Sequence, residues 1–309
     1  MVSFIPQSSS MDPLSLKHRL RRHLARCFQI VLPMTIAGCS AIGPSARSHK
    51  IDSDTELIIS SATTYRIVTA VQLSRSLPTA RVTVNDPVYG RLKHYEGFWL
   101  EDVLRLAGIG FSGETMLVFT CLDGYQARLT RHEDPYAKAL LAVRDLDSES
   151  GWEVFFHGKE KTTPAPFYLV WQTARRAGEA TTSPGTSLPW PYQINRIDLR
   201  SAIESQRRLL PAGAESRSDV QRGYDLFTRS CIACHSINLE GGALGPELNI
   251  PKNITEYRDW SYLVDFIKDP SSFRARSKMP DFKNSLTDQQ IDEILHYLRW
   301  MRERKPTSE

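Results

Sequence analysis

The chain has 309 residues, of which 41% are hydrophobic and 24% charged. That length admits one large or two ordinary domains, and the apolar fraction supports a real core, which excludes wholesale disorder and a collagen-like chain. The formal net charge is +4, but residues 1–38 hold five of the 39 basic and one of the 35 acidic residues, leaving 34 against 34 in the remainder. A neutral body lacks the basic stripe of a nucleic-acid binder, so no nucleic-acid partner is expected. No run approaches 18 uninterrupted apolar residues, so the sequence offers no ordinary membrane-spanning helix.

In chain order, the positively charged KHRLRRHLAR (17–26) is followed by the short apolar CFQIVLPMTIAG (27–38), the pattern of an export signal. Ile36-Ala37-Gly38-Cys39 ends it and resembles the bacterial lipoprotein box, in which the cysteine thiol is lipidated and becomes the mature first residue. Acyl chains there would act as an anchor, since each buried methylene contributes roughly 0.8 kcal/mol. The resemblance implies a signal peptide over 1–38, lipidation at Cys39 and a periplasm-facing lipoprotein of the cell envelope. Ser40, in place of the aspartate of inner-membrane retention, points to the outer membrane. The polar residues 39–51 read as a tether.

From Thr55 short apolar runs alternate with turn-forming clusters. ELIIS (56–60), ARVTV (80–84), TMLVFTCL (115–122), EVFFHG (153–158), PFYLVW (166–171) and QINRIDL (193–199) read as strands. WLEDVLRLAGI (99–109) has helical spacing closed by Gly108, and the polarity around 131–143 predicts a second short helix after Pro135. Residues 172–188 read as a long polar loop. The whole of 52–201 is therefore a mixed α+β domain. Residues 202–218, with Pro211 and Gly213, read as a linker. Beyond it VQRGYDLFTRS (220–230), DWSYLVDFIKD (259–269) and TDQQIDEILHYLRWMRE (287–303) are helical, and no strand pattern appears. The last helix carries a stripe of Ile291, Ile294, Leu295, Leu298 and Met301, and Thr287 with Gln290 makes a capping box at its start.

Cys231-Ile232-Ala233-Cys234-His235 is the strongest chemical signal. Two thiols three apart can form thioethers to the two vinyl groups of haem, and the adjacent imidazole then faces the iron as proximal ligand. Zinc would need a second ligand pair, and beyond His235 only His296 remains in this region, with no further cysteine. A redox CxxC of thioredoxin type would follow a strand, whereas this one sits at the end of a helix. Export fits as well, because haem c is attached outside the cytoplasm. With this motif, with Gly223-Tyr224 and Phe227 before it and with Gly245-Pro246 after it, the region 219–309 resembles a class I c-type cytochrome, an all-α fold. The resemblance implies that Tyr297 and Trp300 pack against the first helix. It also implies that the Pro246 carbonyl holds the Nδ1–H of His235, and that Met279, 44 residues past His235, is the distal thioether ligand. Met301 lies on the core stripe, and His296 shares the opposite face with Asp292, Arg299 and Glu303. With both axial positions filled, such a haem transfers electrons and binds no substrate. Arg274, Arg276, Lys278 and Lys283 surround Met279, opposed by Asp281, and could equally steer an acidic redox partner or form a solvated loop.

Residues 52–201 resemble the sulfite-oxidase-type molybdopterin domain. The carriers are Tyr95-Glu96-Gly97-Phe98-Trp99-Leu100-Glu101-Asp102-Val103-Leu104, then Leu122-Asp123-Gly124-Tyr125, Pro166-Phe167-Tyr168-Leu169-Val170 and Trp190-Pro191-Tyr192-Gln193-Ile194. That family places a metal-ligating cysteine upstream of the strand ending in Asp-Gly-Tyr, and here that stretch contains none. Cys121 lies within the apolar strand and reads as core. Asp123 reads as a turn residue, and no spacing singles out Asp123, His132 or His157 for acid–base work. The expectation is a lipid-anchored electron carrier rather than an enzyme, with one covalent haem c, no molybdopterin, redox-protein partners and a cofactor-free first domain. The alternatives are a sulfite-dehydrogenase-like molybdenum oxidoreductase that feeds its own haem, and a ligand-binding or sensing module with a haem.

Overall fold

The computed structural model describes residues 55–110, 115–130, 137–158, 160–173 and 188–306. The export segment, Cys39, the tether up to residue 51, His132 and most of the predicted 172–188 loop lie outside them.

Two sheets face each other across the first core. One has five strands in the order β2 (Tyr65–Thr69), β1 (Glu56–Ser60), β11 (Ile194–Ser201), β5 (Thr115–Cys121) and β6 (Gln126–Thr130). The other runs β10 (Tyr168–Thr173), β7 (Ala137–Asp145), β4 (Arg91–Trp99) and β3 (Ala80–Asp86). Among these pairs only β1 with β11 is parallel. Leu57, Leu117, Phe119 and Ile197 of the first sheet pack with Phe98, Leu141, Val143 and Trp171 of the second, and helices α1 (Ala70–Ser76) and α2 (Leu100–Leu106) close the sides. Helix α2 ends as its sequence requires, because Gly108 adopts φ +75°, where a side chain would be strained.

The helix expected around 131–143 is corrected: Ala137–Asp145 is strand β7, paired on both sides. Leu141 and Val143 face the first core while Leu140 and Ala142 face a second one with Val82, Tyr95 and Tyr168. A strand buried on both faces shows a continuous apolar run without alternation, so its period gives no strand signal. The EVFFHG run shrinks to β8 (Phe155–His157), in a small hairpin with β9 (Glu160–Thr162).

The predicted linker is corrected as well. Residues Ala202–Leu209 form helix α3, with Ser201 capping its N-terminus by accepting from the Glu204 N–H. Leu209 is buried in the core of the C-terminal part, and its carbonyl accepts from the Tyr297 hydroxyl at 2.7 Å. The segment between the two parts is thus structured, and the described residues from 55 onward belong to one compact unit.

The C-terminal part is helical apart from a two-residue-strand hairpin, β12 (Ser236–Ile237) with β13 (Glu240–Gly241). Helix α4 (Ser218–Ser230) crosses α7 (Asp288–Met301) at Gly223, where an added Cβ would lie 1.9 Å from the Glu293 carbonyl oxygen. Helix α7 starts at the Thr287–Gln290 capping box and buries its whole predicted stripe. Three buried asparagines finish it: Asn253, Asn249 and Asn238 donate to the carbonyls of Leu298, Met301 and Arg304 at 2.8, 2.9 and 3.0 Å. They satisfy acceptors that a helix end leaves unpaired. Helices α5 (Trp260–Lys268) and α6 (Pro270–Phe273) lie between, and α6 leads into the Met279 loop.

Candidate functional site

Helix α4 ends at Cys231, whose N–H still donates to Phe227. The chain then turns, with the N–H groups of Cys234 and His235 both bonded to the Cys231 carbonyl at 3.0 and 2.9 Å. The turn brings Cys231, Cys234 and His235 to the wall of one cavity of about 520 Å³. Met279 lines the same cavity, its N–H bonded to the Ser277 hydroxyl at 3.2 Å. Apolar side chains from α4, α5 and α7, among them Phe227, Phe266 and Leu298, complete the wall.

The proximal geometry is well defined. The His235 Nδ1–H donates to the Pro246 carbonyl at 2.9 Å, which leaves Nε2 with its lone pair. Gly245 lies flat against the imidazole, and a Cβ there would come within 2.4 Å of His235 Cε1. Burial pulls the His235 pKa below the ordinary histidine value, and the Pro246 bond opposes this less strongly, so the ring stays neutral as a metal ligand must. Burial pushes Cys231 up to about 12 and raises Cys234 too, which keeps both as thiols rather than thiolates.

The charged lining is one-sided. Arg258, Arg274, Arg276 and Lys278 border the cavity, and among the described residues no carboxylate does. Two thiols, an imidazole, a thioether, apolar walls and a cationic margin match an amphipathic macrocycle with two carboxylates, so the residues fit haem. Lys283 and Asp281 lie outside this lining, and Lys278 faces Glu160 of β9 at 3.4 Å.

The other residues singled out from sequence stay apart from the cavity. Met301 is buried in the α4–α7 core. His296 is not on a free solvated face, as its helical position suggested, but pairs with Asp219 at 2.9 Å and lies against Trp260. Tyr297 packs on Tyr224 and Phe227, whereas Trp300 turns toward residues 212–217, its Nε1–H donating to the Ala212 carbonyl. Cys121 is buried in the first core, its thiol pushed up to about 12 by burial. Asp123 accepts from the Tyr125 N–H at 2.9 Å, a turn contact, and His157 meets the Tyr192 hydroxyl at 3.1 Å.

Sequence reasoning passed over the part played by the β5–β6 turn. The Gln126 N–H donates to the Ala233 carbonyl, between the two motif cysteines, at 2.8 Å, and the Ala243 N–H donates to the Gly124 carbonyl at 2.8 Å. Two residues further along β6, Arg128 reaches Glu240 at 2.7 Å and Ser205 at 3.0 Å. Nothing local in the sequence announces these pairings, which span from 77 to 119 residues.

Residues 220–302 match the family model for cytochrome c. Comparison with curated proteins gives no match to the chain. The C-terminal region of this chain is thus a cytochrome c domain, which implies covalently bound haem c and haem-based electron transfer.

Proposed function

We propose that this chain is a membrane-anchored, periplasm-facing electron-transfer protein with one haem c, attached at Cys231 and Cys234 and held axially by His235 and Met279. The observation that carries the reading is the convergence of those four side chains on one cavity, although Met279 lies 44 residues beyond His235. Bound there, haem supplies a one-electron ferric–ferrous couple.

The chain's own residues define the rest. Cys231 and Cys234 fix the group covalently, and Pro246 orients His235 and strengthens it as a donor. Met279 would supply a thioether, which favours the ferrous form. The apolar walls would shield the group, and Arg258, Arg274, Arg276 and Lys278 would face its carboxylates. With His235 and Met279 both holding the iron, no position would be left there for a substrate.

The α+β part serves as a rigid support without a redox centre of its own. The support for this is Cys121, the only cysteine of residues 52–201, which is buried among the apolar side chains of the first core. The charged-then-apolar segment before Cys39 supports export and lipid anchoring, and redox proteins are the partners.

Metal analysis and a redox titration of the purified full-length protein test the reading. One iron, no molybdenum and a one-electron uptake at the haem are expected. Stoichiometric molybdenum, or saturable reduction of the haem by sulfite that depends on Cys121, overturns it in favour of a molybdenum oxidoreductase.

A further inference from the structure

The haem-binding motif and the segment that carries Pro246 belong to the cytochrome part, yet they are held in register by an element of the α+β part. The β5–β6 turn bonds to both: to the motif at Ala233 through the Gln126 N–H, and to the Pro246 segment at Ala243 through the Gly124 carbonyl, each at 2.8 Å. Ala243 lies two residues before Gly245, which packs on the imidazole, and three before Pro246, which accepts its Nδ1–H. The cytochrome part links the same two segments to each other, with Gly242 N–H on the Ile232 carbonyl and Gly245 N–H on the Cys234 carbonyl.

Contact this close demands a glycine in the turn. Gly124 has φ +91°, and an added Cβ would lie 2.8 Å from the Ala243 carbonyl carbon and 3.0 Å from the Leu244 nitrogen. Both neighbours are backbone, so no rotamer change relieves the clash. The strand that follows is fixed in turn by the ion pair of Arg128 with buried Glu240.

We propose that the β5–β6 turn is a positioning element of the haem site, in which Gly124 and Gln126 staple the motif to the Pro246 segment and so set the strength of the His235–Pro246 hydrogen bond. The inference rests on the reading that His235 ligates a haem in this cavity. Its consequence is that the α+β part tunes the redox potential without touching the cavity, none of whose lining residues it supplies. A stronger Nδ1–H bond makes the imidazole a better donor and favours ferric iron. Loosening the staple should therefore raise the potential.

The experiment compares Gly124→Ala with Gly108→Ala in the full-length, haem-loaded protein. Both place a Cβ at positive φ in the α+β part, but nothing lies within 4 Å of the one at Gly108. The expected result is an upward shift of the midpoint potential in Gly124→Ala alone, with the near-infrared thioether-to-iron band retained in both. An unchanged or lowered potential in Gly124→Ala overturns the proposal. Amide hydrogen exchange of the wild-type protein decides the matter if that variant does not fold. The Gln126 and Ala243 amides should then be as well protected as core amides of α4 and α7, and exchange at the rate of exposed loop amides rejects the staple. A wild-type protein that carries no haem would instead remove the reading beneath it and leave the two failures distinct.

Discussion

Two requirements meet at His235 under the proposed function: an iron ligand must be neutral, and it must be aimed. Burial supplies the first and the Pro246 carbonyl the second, while Gly245, lacking a side chain, leaves the space that the ring occupies. Among the described residues, Met279 is the one methionine that lines the cavity. Met279→Ala should abolish the near-infrared sulfur-to-iron band, open the iron to carbon monoxide and lower the midpoint potential, because thioether ligation favours the ferrous state. Survival of the band in that variant, read by absorption spectroscopy of the oxidised protein, would assign the distal position to another residue. The sequence offered both residues as candidates, His235 from the local motif and Met279 from the resemblance to a c-type cytochrome, and the structure brings them to one cavity. The cationic margin was only half legible. Arg274, Arg276 and Lys278 stood out beside Met279, whereas Arg258 is brought there from another segment.

Among the elements, the α4–α7 crossing holds the cytochrome part together. Gly223 lets the two backbones touch, and the stripe of α7 fills the space beside it, each large apolar side chain contributing roughly 1.5–3 kcal/mol by its burial. Gly223→Ala should cost about 1–3 kcal/mol or more, since the obstacle is the backbone of Glu293 and cannot rotate away. Thermal melts should show a drop of roughly 2–4 °C per kcal/mol, and a wild-type melting temperature would show that the helices can separate without loss.

The parallel pair β1–β11 depends on a different device. Ser60 and Arg196 both donate to Asp198, the arginine at 2.7 Å. Burial alone would raise the Asp198 carboxyl, but those hydrogen bonds outweigh it and hold its pKa below the usual carboxylate range. A depressed folded pKa contributes stability that is full above the unfolded value of about 3.9 and is lost as pH falls through the folded value. Stability measured across acid pH should therefore decline below about pH 4. Asp198→Asn should lose about 1.5–3 kcal/mol at neutral pH and show a shallower acid limb. An unaltered acid limb in the variant would place the acid sensitivity elsewhere.

In the molecule as a whole, α3 joins the α+β part to the cytochrome part as structure rather than as slack. Leu209 is buried and Ile203, on the same helix, is 55% exposed. Leu209→Ala should lose about 2–5 kcal/mol and Ile203→Ala less than about 0.5, measured by denaturant unfolding of the full chain. Equal and small effects would return 202–218 to the status of a linker. The proposed anchor is tested at the same scale. Cys39→Ser should release the protein from membranes into the soluble periplasmic fraction, and unchanged detergent partitioning of the variant would exclude lipidation at this residue.

The sequence by itself determined whatever is encoded within a few residues or by simple spacing. The CxxCH turn is one example, with both thiols and the imidazole within five positions. The stripe and capping box of α7, and strand β3 with its alternating apolar residues, are others. Only the tertiary structure decided the features whose partners lie far apart in the chain. Strand β7 looked helical because both its faces are buried, a fact about neighbours and not about its own residues. Helix α3 looked like a linker because its apolar anchor, Leu209, acquires meaning only against Tyr297. The asparagines at 238, 249 and 253 look like ordinary loop polarity until they meet the end of α7. Asp123-Gly124-Tyr125 read as a plain turn until the backbone of the haem motif was seen lying against it. Hydrogen bonds and close packing act at about 3–4 Å whatever the separation along the chain, and local patterns carry no record of which distant segment will arrive there.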